Sequence, residues 1–595
     1  MSFDGIVLAA VRTELEATLI HARIDKIYQP ANDTLVLHTR QKGITRKLLL
    51  SAHTTHTRVH FTEQSFENPP SPPLFCMVLR KHLEGGRVIR VSQPGLERQL
   101  SLHVETVDEL GRPGERVLIC EIMGKHSNII LVDPVTGIIL DGIRRYTHAV
   151  SRHREVLPGR PYVPPPAQEK LEPAGTSEEA FRQRFLDGPL TRQAHRVLLE
   201  SFSGFGPLTA REVVARAGLG PDTEVDACGD YEFTRLWQAF SEITGVVQEK
   251  RFLPTLVREN GRYIAFSAID LKQYGGLARQ HPESISQAVD TFSAVRQARE
   301  RLEQQRRDLE SLVSRELKRC YKKMSAQQQD VETAADADRF RLAGELVTAH
   351  IHKLAKGMTE AELENFYDPE GGTVTVRLER ELTPAENAQA YFRKYNKAKS
   401  TARQAGEQLA KTQEEADYLE SVLYEIAQAQ DFSDLDQVRE ELISAGYLKR
   451  KPETRGKKNV EGKVRESAPL RFVSNDGLTI LVGKNNVQND YITLRMARGD
   501  DLWLHVKDIP GSHVLVRTEG HPATPDSTLN QAALLAAHFS KARHSSKVPV
   551  DYTYARHVRK PKGAPPGKVI YDHQQTVFIT PGDEVAALLR QLETP

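Results

Sequence analysis

Apolar residues recur at helical spacing at the start of the chain and then alternate with polar residues in short runs. Residues 1–22 place Ile6, Val11 and Leu15 on one face, which predicts an amphipathic helix. The alternating runs lie at 34–38, 46–50 and 117–122. Because successive side chains of a strand point to opposite faces, each run predicts a half-buried strand. A mixed domain of helix and strands is therefore expected over residues 1–170.

The longest periodic pattern occupies residues 291–435 and predicts a hairpin of two long helices. On the return arm, apolar and alanine residues keep a 3-4 spacing from Ala388 to Ile426, which indicates a coiled-coil seam. The outgoing arm keeps a heptad but takes one extra four-residue step at Val313, which indicates a stutter. Residues of about 335–385 contain glycines and an alternating run, so they are expected to form a small inserted domain at the tip.

Two glycines mark the helical domain expected at 176–290. Gly204 and Gly206 lie on either side of Phe205, in a tight turn between two apolar helices. This pattern favours a helix-hairpin-helix motif, in which the hairpin amides meet a phosphate. A helical corner that needs glycines to turn explains the same residues equally well.

A polar, lysine-rich linker at 449–468 precedes a last domain at 469–595 with a new pattern of strands. Alternation predicts strands at Leu478–Val482, Tyr491–Leu494, Leu502–Val506, His513–Val516, Val569–Tyr571 and Val577–Thr580. A helix is expected over Leu529–Arg543. The fold class that follows for the whole chain is α+β with several domains, and a length of 595 residues agrees with about four of them.

The formal net charge of +2 is unevenly distributed along the chain. Residues 1–160 hold 21 lysines and arginines against 17 acids, and residues 449–595 hold 23 against 15. The intervening segment holds 37 against 47, so an acidic middle separates two basic ends. The strongest concentration, eight basic residues and one acid between Lys541 and Lys568, predicts contact with a polyanion. A solvated basic face is the simpler alternative.

Several classes of protein are excluded by what the sequence lacks. Its four cysteines form no CxxC pair, which argues against a zinc ribbon and a disulfide scaffold and favours a reducing compartment. No phosphate-binding GxxxxGK[ST] motif occurs, so nucleotide hydrolysis has no support. No signal peptide and no membrane-spanning run are visible, and a cytoplasmic protein without cofactor or metal is expected.

The densest group of chemically active residues follows two aspartates in the last domain. Trp503, His505 and Lys507 share one face of the predicted strand, and a Pro-Gly turn brings Ser512 and His513 to its end. An aromatic ring beside an ammonium group suits base stacking and phosphate contact. Two histidines eight residues apart are too few ligands for a metal site, whereas a structural face with satisfied histidines stays open as an alternative.

Two further segments place a Gly-Lys pair and an amide side chain at the edge of a strand, and both are candidate RNA contacts. One is Glu121–Leu131, with Gly124, Lys125, His126 and Asn128, and the other is Gly483–Asp490, with Lys484, Asn485 and Asn486. A simple hairpin turn is the alternative interpretation of each segment.

Taken together, these segments resemble motifs of the NFACT family, specifically of its bacterial RqcH type, once labelled fibronectin-binding protein-like. The matching segments, in the family's order, are Leu79–Gly86, Glu121–Leu131, Leu382–Gln389, Tyr391–Lys397, Gly483–Asp490 and Asp501–Val514. The resemblance covers nearly the whole chain. It implies an NFACT-N domain at 1–170 that resembles the N-domain of formamidopyrimidine-DNA glycosylases, a helix-hairpin-helix at 176–290, the coiled-coil hairpin at 291–435 and an NFACT-R RNA-binding domain at 469–595.

The resemblance also implies a task in ribosome-associated quality control. Such factors bind a stalled large (50S) subunit that still holds peptidyl-tRNA, together with a small S4-type RNA-binding partner. They recruit alanyl-tRNA, and the ribosomal peptidyl transferase adds an untemplated C-terminal alanine tail that marks the nascent chain for degradation. The chain is therefore expected to contact tRNA and rRNA and not to be an enzyme itself.

For tailing, the family needs an adjacent Asp-Arg pair after Gly-Leu, and this chain has Glu97 and Arg98 there. The charge of the acid is retained, but its carboxylate lies one methylene further out. Arg98 can make a bidentate contact with phosphate or guanine, and Glu97 can accept a hydrogen bond from a base amino group. A surface salt bridge is the alternative for the pair.

Further RNA contacts are expected from basic residues elsewhere in the chain. Arg556 and Lys560 belong to the basic C-terminal face, while Arg393, Lys394 and Lys397 form a basic patch on the acidic coiled coil. The solvated face of a helical arm explains that patch equally well.

Two other functions are compatible with parts of the sequence. A DNA repair glycosylase of the formamidopyrimidine type shares the expected N-domain and helix-hairpin-helix, but it needs an N-terminal proline and a four-cysteine zinc finger, whereas this chain has Ser2 and no finger. A surface adhesin that binds matrix protein such as fibronectin, as the older label suggests, would need a signal peptide for export.

Overall fold

The computed structural model describes residues 3–107, 111–149, 153–166, 168–335, 337–369, 371–450, 468–521 and 524–592. The chain forms two compact units, Met1–Arg299 and Glu300–Pro595. The finer domain boundaries given above stay predictions, and most of the predicted linker, 451–467, lies outside the described residues. At the coarser level, the chain is a mixed α+β protein of several domains, as expected.

A nine-stranded antiparallel sheet forms the first part of unit 1. Its strands are β1 (Arg23–Ala31), β2 (Thr34–Gln41), β3 (Ile44–Ser51), β4 (Arg58–Phe61), β5 (Arg87–Ser92), β6 (Gln99–Val107), β7 (Pro113–Glu121), β8 (Asn128–Asp133) and β9 (Ile138–Gly142). They are ordered β4-β3-β2-β1-β5-β6-β7-β8-β9 across the sheet, with helices α1 (Gly5–Leu19) and α2 (Leu74–Leu83) in the same domain. The three alternating runs of the sequence fall on β2, β3 and β7.

Helix α1 begins where Asp4 caps its first turn by accepting a hydrogen bond from the Val7 amide at 3.0 Å. Its apolar residues, including Val11 and Leu15, are buried in the core of the unit. The predicted helix is confirmed, but it ends at Leu19. The chain leaves helical geometry there, and His21 adopts a left-handed φ of 69°.

The second part of unit 1 is built around a cluster of aromatic rings. Its helices are α3 (Glu178–Leu186), α4 (Ala194–Ser201), α5 (Pro207–Arg216) and α6 (Asp230–Gln248), followed by β10 (Thr255–Glu259), β11 (Arg262–Ser267) and β12 (Ala278–Gln280). Phe181, Phe202 and Phe240 are fully buried, with ring centroids 4.6–5.6 Å apart. Because aromatic rings bury large apolar areas, this cluster fixes the hairpin that joins α4 to α5.

Long helices α7 (Ile285–Ala335) and α9 (Pro384–Gln428) occupy the two predicted arms, and the boundary between the units falls within α7. In unit 2, Val313 and Leu317 of α7 form one buried cluster with Leu419 and Ile426 of α9. Between the arms lie α8 (Ala337–Ala349), β13 (Glu360–Glu364) and β14 (Thr373–Arg377), and α10 (Phe432–Ser444) follows α9. The supercoil and the stutter stay predictions.

The last domain combines a six-stranded antiparallel sheet with three helices. Its elements are β15 (Leu470–Val473), β16 (Thr479–Val482), α11 (Asn486–Tyr491), β17 (Leu502–Val506), β18 (Val514–Val516), α12 (Asp526–His538), β19 (Val548–Tyr554), β20 (Val558–Arg559), β21 (Ile570–Tyr571), β22 (Gln575–Ile579) and α13 (Asp583–Leu589). The sheet order is β15-β16-β18-β17-β19-β22, and β20 pairs separately with β21. Strands β17 and β18 pack against α12 in the core of the domain.

The strand predicted at Tyr491–Leu494 is wrong. Tyr491 ends α11, and Ile492–Met496 continue as a wide helical turn. The Asn485 side chain caps α11 by accepting a hydrogen bond from the Gln488 amide at 2.8 Å. This cap starts a helix just before an apolar run that, taken alone, favoured a strand.

None of the helices in the described part of the chain combines the length and the apolar composition that crossing a membrane requires. All four cysteines are buried free thiols. Burial raises the pKa of Cys76 and of Cys120, so both stay protonated at neutral pH.

Candidate nucleic-acid interface

The Glu97–Arg98 pair lies in the loop between β5 and β6, at one end of the nine-stranded sheet. Glu97 is exposed and Arg98 is half-buried. The Arg98 carbonyl accepts a hydrogen bond from the Ile122 amide at 2.8 Å, which fixes this end of the loop to the end of β7. Within the described residues neither side chain forms a salt bridge, so the ion-pair alternative does not apply here and both charged groups are available to a ligand.

Leu96 fastens this loop to the hairpin between α4 and α5. Its side chain is buried, and a Cβ added to Gly204 would lie only 2.5 Å from Leu96 Cβ. A Cβ added to Gly206 would lie 2.8 Å from Asp4 Cβ, so neither glycine has room for a side chain. Gly204 also has a φ of +80°, which other residues rarely adopt. The two glycines therefore allow the hairpin to approach the loop that carries Glu97.

The buried carboxylate of Asp4, which precedes α1, lies against the N-terminal end of α5 in this hairpin. It accepts hydrogen bonds from the Gly206 amide at 3.1 Å and from Thr209 Oγ1 at 2.6 Å, in addition to capping α1. Burial raises the pKa of Asp4, and these hydrogen bonds oppose that rise. An amide expected to meet a phosphate is thus bound internally, beside a group that would repel one. The phosphate-binding interpretation of Gly204 and Gly206 is corrected to one of close packing.

A cavity of about 150 Å³ opens beside the pair, lined by Glu97, Arg98 and Lys170 together with the hairpin. Lys170 Nζ donates a hydrogen bond to the Leu199 carbonyl at 2.8 Å. Burial, together with the charge of Arg98, lowers the pKa of Lys170. Lys170 adds a cation beside the pair that sequence reasoning missed, because no local motif marks it and only the fold brings it to Arg98.

The second predicted loop of unit 1 lies at the same end of the sheet. Gln99, the first residue of β6, pairs with Glu121, the last residue of β7, so the loops before β6 and after β7 lie at the same end of the sheet. Lys125 and His126, which follow β7, are both exposed there. The fold therefore brings two separate sequence motifs, Glu97–Arg98 and Lys125–His126, to one end of the nine-stranded sheet.

The other two candidates in that loop have structural tasks. The Asn128 side chain is buried and bonds to both backbone groups of Arg144, with its Nδ2 donating at 2.9 Å and its Oδ1 accepting at 3.0 Å. Gly124 has a φ of 60°, a conformation that favours glycine in a tight turn. The predicted RNA contact of Asn128 is corrected, because its polar atoms face the protein interior.

The basic patch on α9 is open to solvent. Arg393, Lys394 and Lys397 are exposed. Lys394 lies over the ring of Tyr391, with its Nζ 5.4 Å from the centroid, and pairs with Glu379 at 3.5 Å. Both proposed interpretations, an RNA contact and a solvated face, fit this placement.

Half of the RNA contacts predicted for the last domain lie in its interior. The buried residues are Asn485, Asn486, Trp503, Ser512 and His513. Lys484, His505 and Lys560 are half-buried, and Lys507 and Arg556 are exposed. Arg556 pairs with Asp500 at 2.6 Å, and Lys560 pairs with Asp490. Lys507, in contrast, forms no salt bridge with any of the described residues.

Trp503 cannot stack on a base in this arrangement. Its side chain has no exposed surface, and its ring centroid lies 5.9 Å from that of His505, 5.1 Å from that of His513 and 4.9 Å from that of Tyr571. His513 Nδ1 is hydrogen-bonded to Thr493 Oγ1 at 2.8 Å. The stacking interpretation is corrected in favour of a packed aromatic group with satisfied histidines.

The Gly-Lys-Asn-Asn segment attaches the last domain to the helices of unit 2. Asn485 Nδ2 donates to Gln437 of α10 at 2.6 Å, and Asn486 Nδ2 donates to Ser421 of α9 at 3.0 Å. Both amides are therefore corrected from RNA contacts to contacts within the protein. Ion pairs add to this attachment, since part of the basic C-terminal stretch faces the acidic C-terminal part of α9. Lys541 pairs with Glu420 at 2.8 Å and Lys568 with Glu414 at 3.0 Å.

Two carboxylic acids are buried in this attachment, Glu425 of α9 and Glu441 of α10. Burial raises the pKa of Glu441 to about 7, and burial together with the charge of Glu441 raises that of Glu425. The groups around Glu441 are Asn486, Tyr418, Asp490 and Lys560, besides Glu425. Both shifts favour the neutral carboxyls, because ionising either group in this buried place is costly.

Because the native pKa values lie above the unfolded value, native unit 2 binds more protons than the unfolded chain between about pH 4.5 and about 7. The free energy of unfolding should then fall as the pH rises through this window, by about 1–3 kcal/mol. This free energy can be measured at each pH by urea unfolding of Trp237→Phe protein, with the fluorescence of Trp503 as the signal. Glu441→Gln should be more stable than the parent at pH 8 and flatten the pH dependence. An equal slope in both proteins would contradict the assignment.

Among the described residues, one group of side chains could hold a metal ion. His557, Asp572 and His573 each offer a ligand atom, all within 4.8 Å of one another. Asp572 already pairs with Arg559 at 3.3 Å, which competes with a metal for the carboxylate. None of the residues predicted as RNA contacts belongs to this group.

Two family models match the chain. One describes NFACT N-terminal and middle domains and covers residues 4–461, and the other describes the NFACT protein RNA-binding domain and covers residues 469–573. This chain belongs to the NFACT family. The resemblance drawn from its motifs is thereby confirmed.

NFACT relatives match over its whole length or over part of it. The Rqc2 homolog RqcH of Bacillus subtilis is 42% identical over 594 residues, which are 99% of this chain and 100% of the relative. The human ribosome quality control complex subunit NEMF is 24% identical over 373 residues, which are 59% of this chain and 33% of that protein.

Solved structures match parts of this NFACT chain. The fibrinogen binding protein from Staphylococcus aureus is 31% identical, with 49% of this chain and 99% of that chain covered and a TM-score of 0.42. The MutM (Fpg) protein from Thermus thermophilus is 15% identical, with 41% and 76% covered and a TM-score of 0.21.

Proposed function

We propose that this NFACT protein is a ribosome quality control factor that binds a stalled 50S subunit holding peptidyl-tRNA and recruits alanyl-tRNA. The ribosomal peptidyl transferase then adds an untemplated C-terminal alanine tail, which marks the nascent chain for degradation. The protein does not itself catalyse peptide-bond formation, and it acts in the cytoplasm. Similarity over the whole chain to RqcH, and partial similarity to a ribosome quality control subunit, support this proposal.

The observation that carries the proposal is the free Glu97–Arg98 pair on a loop held by close packing. Arg98 donates to a phosphate or a guanine of tRNA, and Glu97 accepts from a base amino group. The loop is held in place because Leu96 packs closely against Gly204 and the Arg98 carbonyl is hydrogen-bonded to the Ile122 amide at the end of β7. The two charged groups are thereby positioned before tRNA arrives. Lys170 beside the pair and Lys125 at the same end of the sheet add positive charge for the tRNA backbone.

Other basic residues contact rRNA in this proposal. Lys507 and Arg556 are exposed in the RNA-binding domain, and Arg393, Lys394 and Lys397 are exposed on α9. Phosphate contacts of this kind give affinity and fix orientation, whereas nucleotide sequence is recognised through contacts with the bases. A small S4-domain protein completes the set of partners.

Sedimentation of a lysate through a sucrose gradient, with sequencing of the RNA bound to the protein, tests the proposal. The protein should migrate with free large subunits, and its RNA should be enriched in alanine tRNA. Absence from those fractions, or RNA without tRNA enrichment, would overturn it. The glycosylase and adhesin alternatives are not favoured, since the relatives that match the whole chain are named RqcH.

A further inference from the structure

A cavity of about 450 Å³ lies within unit 2, between α9 and the last domain. Its floor is aromatic, with the half-buried rings of His505 and Tyr571 next to the buried ring of Trp503. Pro565 and Pro566 form an apolar wall. The volume is within the range of about 300–1,000 Å³ that is typical of ligand pockets in proteins. The basic residues assigned to RNA under the proposed function, including Lys507 and Arg556, do not line this cavity.

The aromatic floor is fixed and uncharged. The rings of His505 and Trp503 are nearly parallel, at 20° and 5.9 Å, and His513 packs edge-on against His505 at 5.3 Å. Burial lowers the pKa of His505 to about 4, and burial also lowers that of His513. Both imidazoles are therefore neutral at pH 7, so the floor offers flat rings and ring nitrogens without a positive charge.

Carboxylates dominate the charged groups around the cavity. Four of them line it, Glu414, Asp417, Glu420 and Asp508, against the single ammonium group of Lys568. Lys568 pairs with Glu414 and Lys541 pairs with Glu420. For the other two, Asp417 and Asp508, the described part of the chain provides no salt-bridge partner. The cavity therefore has an excess of negative charge, which repels a phosphate and attracts a cation.

A buried hydrogen-bond donor without a partner lies behind the rings of this cavity. Trp503 is fully buried, and its indole Nε1 has no partner within the described residues. A planar cationic side chain suits both the flat rings and the carboxylates that line this cavity, whereas a free metal ion would use the carboxylates alone.

We propose that this cavity binds an arginine side chain from a basic segment of a partner protein. The planar guanidinium stacks on the rings of His505 and Tyr571 and donates to Asp417 and Asp508, while the side-chain methylenes contact the two prolines. This contact goes beyond the RNA contacts of the proposed function. The proposal can be tested independently of alanine tailing, because a peptide can bind in this cavity whether or not tRNA is recruited.

Fluorescence polarisation with a labelled Gly-Arg-Gly-Arg-Gly amide and the full-length protein tests the proposal. The peptide should bind saturably, and the double variant Asp417→Asn/Asp508→Asn should weaken it at least tenfold. Asparagine also tolerates the left-handed φ of 54° at residue 508, so the backbone need not change. Glu407→Gln is the matched control. It removes an exposed charge from the same helix outside the cavity and should leave binding unchanged.

Two further measurements locate the site and its chemistry. In Trp237→Phe protein, Trp503 is the only tryptophan left, so peptide binding should change its emission with the same midpoint. A peptide with citrulline in place of arginine keeps the shape without the charge and should not compete. The proposal would be overturned if Glu407→Gln weakened peptide binding as much as the double variant does. It would also be overturned if the citrulline peptide competed, or if no saturable binding were observed. Loss of binding to a single-stranded RNA oligonucleotide in the double variant would overturn it as well, because the cavity would then be an RNA site.

Discussion

Arg98→Ala is expected to reduce alanine tailing by about 10- to 100-fold while association with the large subunit stays largely intact. One bidentate arginine contact discriminates by about 1–3 kcal/mol, and about 1.4 kcal/mol corresponds to a factor of ten. Its guanidinium forms no salt bridge among the described residues, so its donors are free for tRNA. Tail length in a reaction with purified subunits holding peptidyl-tRNA measures the first effect, and sedimentation measures the second.

Two variants separate this role from a general loss of charge. Arg40→Ala removes an exposed arginine of the same sheet that pairs with Asp25 at 2.9 Å, and tailing should be unchanged. Glu97→Asp restores the acid that the family resemblance implies at this position, and it should keep tailing active. If Arg98→Ala gives tails of normal length, the residue is misassigned. If it releases the protein from the subunit, Arg98 contacts rRNA instead.

Asp4→Ala is expected to destabilise unit 1 by about 2–4 kcal/mol. The substitution removes the cap of α1 and leaves the Gly206 amide and the Thr209 hydroxyl without their acceptor in a buried place. The gain from no longer burying a carboxylate offsets part of this loss. Hydrogen exchange of the full-length protein should accelerate by about 30- to 1,000-fold in peptides from the start of α1 and of α5.

Asp25→Ala provides the comparison for a surface carboxylate. Asp25 pairs with Arg40 on the exposed face of the sheet, and loss of such a pair should change stability by less than about 1 kcal/mol. Asp4→Asn should fall between the two, because its amide keeps one acceptor for the Val7 amide but replaces the second oxygen with a donor. Normal exchange in Asp4→Ala would show that Asp4 does not hold the hairpin to α1.

Most of the elements could be predicted from the sequence, because their signals are local. The helix at the start of the chain, the strands in the first domain and the two long helices each follow from spacing over a few residues. The failure at Tyr491–Leu494 has a local cause as well. The cap at Asn485 decided between a helix and a strand where the apolar run left both possible.

The candidate site was predictable in part. Glu97, Arg98, Lys125 and His126 could be named from motifs, and the structure leaves Glu97, Lys125 and His126 exposed. Lys170 could not be named, because it reaches Arg98 only when the hairpin packs on the loop. Trp503 was misinterpreted for a related reason, since a strand pattern shows which side chains share a face but not what covers that face.

The sequence by itself determined the order of the elements, the NFACT family and the acid–arginine pair, because periodicity and long motifs are properties of neighbouring residues. Only the tertiary structure decided which of the polar groups are exposed and which are buried. Asp4 accepts a hydrogen bond from the Gly206 amide, which is 202 residues away in the sequence, so this amide is not available to a phosphate. Burial of Trp503 and exposure of Glu97 likewise depend on which distant segments pack against them, and no local pattern records that choice.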